Sequence, residues 1–155
     1  MGLDTGDLQA TISLILMPKK PTSRRRLTRK QQRDIDIEIG FLEGLVRRDP
    51  EYVEALEILG DGYTKRGRFE EGLGIDQQLV ALRPTDSGMC FNLACSLSLT
   101  KRLDEALNAL RQAIQFGYRD FEWLLKDPDL RRVREDERFA VILALIEGEL
   151  SQQGS

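Results

Sequence analysis

Apolar residues recur at helical spacing along most of the chain. Ile35, Ile39, Leu42, Leu45 and Val46 share one face of a segment spanning residues 28–48. Thr28-x-x-Gln31 opens that segment and reads as a capping box. Leu56, Leu59 and Tyr63 form the next stripe. Asp49-Pro50 ahead of it reads as an N-cap followed by proline at the first helical position. Lys65-Arg66-Gly67 closes it, with cations in the last turn and glycine after them. A further helix is expected from Phe69 to Leu82, stopped by Pro84, and then two more, over 87–99 with Asp86 as its cap and over 103–116. Breaks are expected near Asp49-Pro50, Gly67, Pro84, Lys101, Gly117 and Pro128. No segment combines alternating apolar residues with turn signals in the way a strand requires.

The pattern repeats. A shift of 34 residues carries Leu56, Leu59, Gly60 and Tyr63 onto Cys90, Leu93, Ala94 and Leu97. It carries Phe69, Gly72, Leu73 and Leu79 onto Leu103, Ala106, Leu107 and Ala113, and Pro50 onto Pro84. A fixed period of this length marks stacked supersecondary units. Each unit is a pair of helices. Small residues at Gly60, Ala94, Gly72 and Ala106 let neighbouring helices approach closely, where added bulk would overpack the contact.

The run Leu56-x-x-Leu59-Gly60-x-x-Tyr63, followed by Gly72 and Pro84, resembles the tetratricopeptide (TPR) repeat. The second unit keeps Leu93-Ala94, Leu97, Ala106 and Leu110, with Cys90 where the family favours a bulky aromatic and Tyr118 in place of the closing proline. The first unit has Gly72 for the usual alanine and Asp76 for the usual aromatic. The resemblance covers 50–118. It implies an all-α fold, a short right-handed TPR-like helical-hairpin solenoid with atypical terminal capping helices. Full repeats are expected over 50–84 and 85–118, with partial units at 28–48 and 120–150, so that 28–150 forms the TPR-like domain and 1–27 a basic arm. Asp120 would cap a short helix carrying Phe121, Trp123, Leu124 and Leu125. Asp127-Pro128 interrupts it, and a last helix holds Phe139, Ile142, Leu143, Leu145 and Ile146. A solenoid must seal its last apolar face, which such a terminal block does. Gln152–Ser155 reads as a frayed tail, and Trp123 as a packing anchor within the block.

The same resemblance implies a non-enzymatic protein-interaction adaptor whose first helices line a concave groove for a peptide or partner helix. Carried onto this chain, the groove-facing positions are Glu54, Glu57, Asp61, Thr64 and Lys65 in the first unit, and Gly88, Phe91, Cys95, Ser98 and Leu99 in the second. One end of such a groove is acidic and the next apolar. Its partner is expected to present basic and apolar residues. The TPR subclass that clamps acidic chaperone tails uses cations and amides. Asn92 and Lys126 fit that pattern, but Glu57, Asp61 and Glu122 would repel a carboxylate ligand.

Composition narrows the chemistry. The chain has 155 residues, is 41% hydrophobic and 32% charged, and lacks histidine altogether. That removes His-based triads, His general bases and His-containing zinc sites. Cys90 and Cys95 form neither a CxxC pair nor a disulfide framework and read as core thiols. Gly60-Asp61-Gly62 and Gly72-Leu73-Gly74 match no phosphate-binding loop. No catalytic residue, metal-ligand set or cofactor motif is found. With no transmembrane stretch and no secretory signal order, the sequence reads as cytoplasmic.

Charge is asymmetric. Residues 1–33 hold Lys19, Lys20, Arg24, Arg25, Arg26, Arg29, Lys30 and Arg33 against Asp4 and Asp7, while 34–155 carry 15 Lys/Arg against 24 Asp/Glu. The eight cations are an anion-binding candidate, and nucleic acid or a ribosomal surface is the alternative partner they suggest. A solubilising tail is the plainer reading of the same residues. A small TPR secretion chaperone is a third reading that suits the size and the acidic body. Ahead of the arm, Leu8–Met17 is apolar. It is expected to cover the helix at 28–48, which lacks a partner helix, either in the same chain or across a homodimer.

Overall fold

The computed structural model describes residues 26–154, and among these the regular structure is helical throughout, with no strand. Helix α1 is Arg29–Arg48. Helices α2 (Val53–Lys65) and α3 (Phe69–Leu82) form one hairpin, and α4 (Ser87–Leu99) and α5 (Leu103–Gln115) the next. A short α6 (Phe121–Leu124), a 3-10 turn (Pro128–Leu130), α7 (Arg131–Glu135), a second 3-10 turn (Glu137–Phe139) and α8 (Ala140–Gln153) close the stack. Each helix packs chiefly on the next in sequence, α1 on α2, α2 on α3, α3 on α4 and α4 on α5, the arrangement of a TPR-like solenoid. No helix among the described residues is long and apolar enough to cross a membrane.

Local chemistry sets the helix ends. Thr28 accepts from the Gln31 N–H at 3.2 Å while Gln31 Oε1 accepts from the Thr28 N–H at 2.9 Å, so the capping box is complete. Asp86 caps α4 by accepting from the Met89 N–H, and Asp120 caps α6 by accepting from the Trp123 N–H. The two hairpins turn through the same device, 34 residues apart. Gly67 has φ +74° and Lys101 has φ +65°. In each case the next N–H reaches back across the turn, Arg68 to the Tyr63 carbonyl and Arg102 to the Leu97 carbonyl, both at 2.8 Å. Gly117 repeats the left-handed turn after α5.

Asp49-Pro50 acts differently from the expectation. Asp49 is the C-cap of α1, and α2 begins only at Val53. The Asp49 carboxylate accepts from the Glu51 N–H at 3.1 Å, and its carbonyl accepts from the Tyr52 N–H at 3.2 Å. That closed turn uses up the aspartate locally, before it can cap a helix. At the other end Gln152 and Gln153 lie within α8 rather than in a frayed tail. Leu8–Met17, together with Lys19, Lys20, Arg24 and Arg25, lies outside the described residues.

The core runs the length of the stack. At one end Ile39 and Leu42 of α1 meet Ala55, Leu59 and Tyr63 of α2. Tyr63 also donates its hydroxyl to Glu43 Oε1 at 2.7 Å, which ties α2 back to α1. At the other end Phe121, Leu124, Leu130, Val133, Phe139, Ile142 and Ile146 join Leu97, Leu110 and Ile114 in one cluster. The terminal block thus seals the apolar face of α4 and α5. Leu93 is only half-buried, so the Leu59 position of the first unit is the more deeply packed of the two.

Small residues appear where helices cross. A Cβ on Gly60 would meet Ile75 Cγ2 at 3.2 Å. Ala94 and Ala106 are fully covered.

Candidate functional site

Stacking places the first helix of each hairpin on one side of the molecule and encloses a cavity of about 170 Å³. From α2 come Glu57, Gly60, Asp61 and Thr64. From α4 come Phe91, Asn92, Cys95 and Ser96. Asp76 and Leu79 reach in from α3, and Trp123, Asp127 and Asp129 close the far wall from the terminal block. Among these lining residues are five carboxylates and no lysine or arginine.

Asp76 is the least ordinary of the five. It is 9% exposed, and it accepts from the Ser96 hydroxyl at 2.5 Å. No described cation pairs with it. Burial pushes its carboxyl up to about 6, with the Ser96 bond pulling the other way. Asp127 is also buried. Its Oδ1 accepts from the Asp129 N–H at 2.9 Å, and its Oδ2 accepts weakly from the Cys95 thiol at 3.6 Å. Burial raises its carboxyl as well, against the pull of the Asp129 N–H. The Arg134 guanidinium holds the backbone here, donating to the Asp127 carbonyl at 2.6 Å and the Leu124 carbonyl at 3.2 Å. Glu57 and Asp61 stand exposed at the rim.

The apolar side of the cavity is aromatic. Phe91 stacks flat on Tyr118, with ring centroids 4.3 Å apart and planes 5° from parallel. Tyr118 occupies the position of the missing repeat proline, so the ring stack holds the end of the second hairpin against α4. Trp123 is 48% exposed and lines the cavity. It is therefore a wall of the site, not the buried anchor expected of it. The reason is geometric: α6 is a single turn, and Phe121 and Leu124 take its buried side.

The cysteines are chemically quiet. Cys95 is buried, and burial together with the neighbouring Asp127 and Asp129 charges pushes its thiol well above the usual range. Cys90 is shifted upward too, by burial first and by Asp86 second. Both environments disfavour the thiolate that a nucleophile needs.

Of the positions expected in the groove, Glu57, Asp61, Thr64, Phe91 and Cys95 come together in the cavity wall. Glu54 and Gly88 lie outside it, the first exposed and the second half-buried. Lys65 points along α2 and pairs with Asp61 at 2.6 Å. Ser98 is fully buried, and Leu99 is half-buried with its carbonyl accepting from Arg132 at 3.1 Å. The 3-10 turn and α7 pack across this end of α4 and cover the surface that a regular third repeat would leave open. Of the arm cations, Arg26, Arg29, Lys30 and Arg33 are exposed, the last three on the first turns of α1.

Sequence reasoning missed the floor of the site. Asp76 stood out as an acid in an aromatic position, which was the available signal. Asp127 was legible only as a helix breaker, and Ser96 gave no signal.

No family model matches the chain. A curated relative, a chloroplastic protein of Arabidopsis thaliana, is 32% identical over 84 residues, which is 52% of this chain and 25% of that protein. The match thus spans about a quarter of that relative's length. Three solved structures are similar in fold. "MamA RS-1 ArsTM double mutant" aligns with a TM-score of 0.60 at 16% identity, over 79% of this chain and 68% of its own. "MamA MSR-1 C2" aligns at 0.59 and 15% identity, over 79% and 70% respectively. "Crystal structure of MamA" aligns at 0.54 and 21% identity, over 86% and 70%. At such identities the likeness establishes the fold, a TPR-like stack of helical hairpins.

Proposed function

We propose that the chain is a non-enzymatic adaptor that binds a protein segment in this cavity, and that the segment inserts a basic side chain beside an apolar one. The observation that carries the reading is five carboxylates around one cavity with no cation in its lining, next to an exposed Trp123. An inserted guanidinium or ammonium supplies the counter-charge that buried Asp76 lacks, and an ion pair is strongest where water is excluded. Trp123 offers a ring face to the same cation and an apolar surface to its neighbour. The absence of histidine and the suppressed thiolates support a binding role over catalysis.

Trp123 is the chain's one tryptophan, so its emission reports occupancy directly. The test is a titration with a short peptide carrying one Arg and one Leu, and with its Arg→Glu counterpart. The Arg peptide is expected to shift Trp123 emission and saturate, and the Glu peptide to leave it unchanged. Binding should weaken several-fold in Glu57→Gln/Asp61→Asn, which alters only exposed side chains, and further in Asp76→Asn. Equal binding of both peptides, or no loss in either variant, refutes the acidic site.

The basic arm supports a second reading, nucleic-acid or ribosome association. Its support is the exposure of Arg26, Arg29, Lys30 and Arg33 together at the start of α1. Neutralising several phosphates makes affinity fall steeply with salt, roughly as the salt concentration to the power of the number of contacts. A pull-down with and without nuclease separates this reading from the adaptor.

A further inference from the structure

Helix α1 has one apolar face without cover among the described residues. Ile39 and Leu42 are buried against α2. Ile37 and Phe41, on another side of the helix, are 73% and 67% exposed. Gly40 and Gly44 lie beside them, and a Cβ on either would meet nothing within 4 Å. The repeat register says what this face is for. Phe41 stands 34 residues before Ile75 and 68 before Ala109. Ile75 is half-buried and lies against Gly60 of its own hairpin's first helix, while Ala109 is 3% exposed. In both complete hairpins this position is therefore covered, whereas no described residue takes that place over α1.

We propose that residues 8–17 fold back over α1 as the first helix of its hairpin, with Phe41 as the anchor of the contact. Leu8, Ile12, Ile15 and Leu16 fall on one helical stripe, with Asp7 in front as a cap and Pro18 behind as a stop. Ten helical residues extend about 15 Å, enough to lie across the stretch from Ile37 to Gly44, about 10 Å long. The connection, residues 18–28, can span up to about 36 Å, whereas Phe41 stands only about 18 Å along α1 from Arg29. Gly40 and Gly44 allow a close crossing, since no side chain there holds a neighbour away. The connector is rich in Lys and Arg, and the start of α1 presents exposed Asp34, Asp36 and Glu38 to it. Pairing two α1 faces across a dimer would cover Phe41 but leave Leu8–Met17 in water. Return of the segment within one chain covers both apolar surfaces at once.

The test uses the full chain and three variants: Ile12→Asp/Leu16→Asp, Phe41→Ser, and all three changes together. Amide hydrogen exchange is followed across residues 37–44, with sedimentation at two protein concentrations. The native chain is expected to be monomeric, with these amides exchanging at least about tenfold more slowly than in Ile12→Asp/Leu16→Asp. Phe41→Ser should cause the same loss, and the triple variant should add nothing to it, because all three changes break one contact. Unchanged exchange in Ile12→Asp/Leu16→Asp overturns the proposal, and this variant leaves every described contact of α1 intact. Protection that grows with protein concentration and accompanies a dimer also overturns it, in favour of a second copy on the same face.

Discussion

Asp76→Asn should change how stability depends on pH more than any other single substitution in the cavity. Burial raises this carboxyl from 3.8 to about 6. The folded chain therefore holds the proton over a range in which the unfolded chain has released it. Stability is expected to fall as pH rises from about 4 to about 6, and to level off above that window. Each pKa unit corresponds to about 1.4 kcal/mol, so the ionised carboxylate costs the fold on the order of 3 kcal/mol at neutral pH. Asparagine has nearly the same shape, carries no charge, and keeps an oxygen to accept from Ser96. Urea unfolding of both proteins at intervals from pH 4 to pH 8 isolates the effect, because the contribution of Asp127 is common to both and cancels. The two proteins should be equally stable near pH 4, and the variant should be more stable above pH 6 by up to about 3 kcal/mol. Parallel curves across the whole range would show that Asp76 is not desolvated, and the account of the cavity floor would fail with it.

Four further outcomes are expected. The affinity of an Arg-containing peptide, read from Trp123 emission, should decline as pH falls through about 6, because protonation of Asp76 removes the ligand's counter-charge. Lys101→Gly should raise stability by about 1 kcal/mol in chemical denaturation, since a lysine at φ +65° bears the left-handed strain that Gly67 avoids at the matching turn. Gly60→Ala should cost about 1–3 kcal/mol through its contact with Ile75, whereas Gly74→Ala, which meets nothing within 4 Å, should gain up to about 1 kcal/mol of helix propensity. Thermal unfolding compares the two directly. Ser98→Ala should be neutral or stabilising by about 1 kcal/mol, because the Ser98 hydroxyl is buried without a hydrogen-bond partner, and a loss of stability would reveal one.

The sequence alone determined the helices and their period. Apolar stripes, glycine turns and acidic caps act over three or four residues, so Gly67, Asp86 and the Thr28 box could be read without knowing any neighbour. The spacing of 34 between Gly67 and Lys101 foretold a repeated turn even where lysine had replaced glycine. Asp49 shows the limit of such reading. A local aspartate can cap a helix or close a turn, and the choice depends on the entry angle of α2 against α1. The site required the tertiary structure. Asp76, Ser96 and Asp127 are far apart in the chain, and they meet only because α3, α4 and the terminal block converge on one cavity. Ser98 and Leu99 were displaced from the expected groove by the same block, since a solenoid end covers its last helix where a further repeat would continue it. Burial, and with it the charge state of a carboxylate, depends on what packs around a side chain from every direction, and sequence spacing carries that information along one direction only.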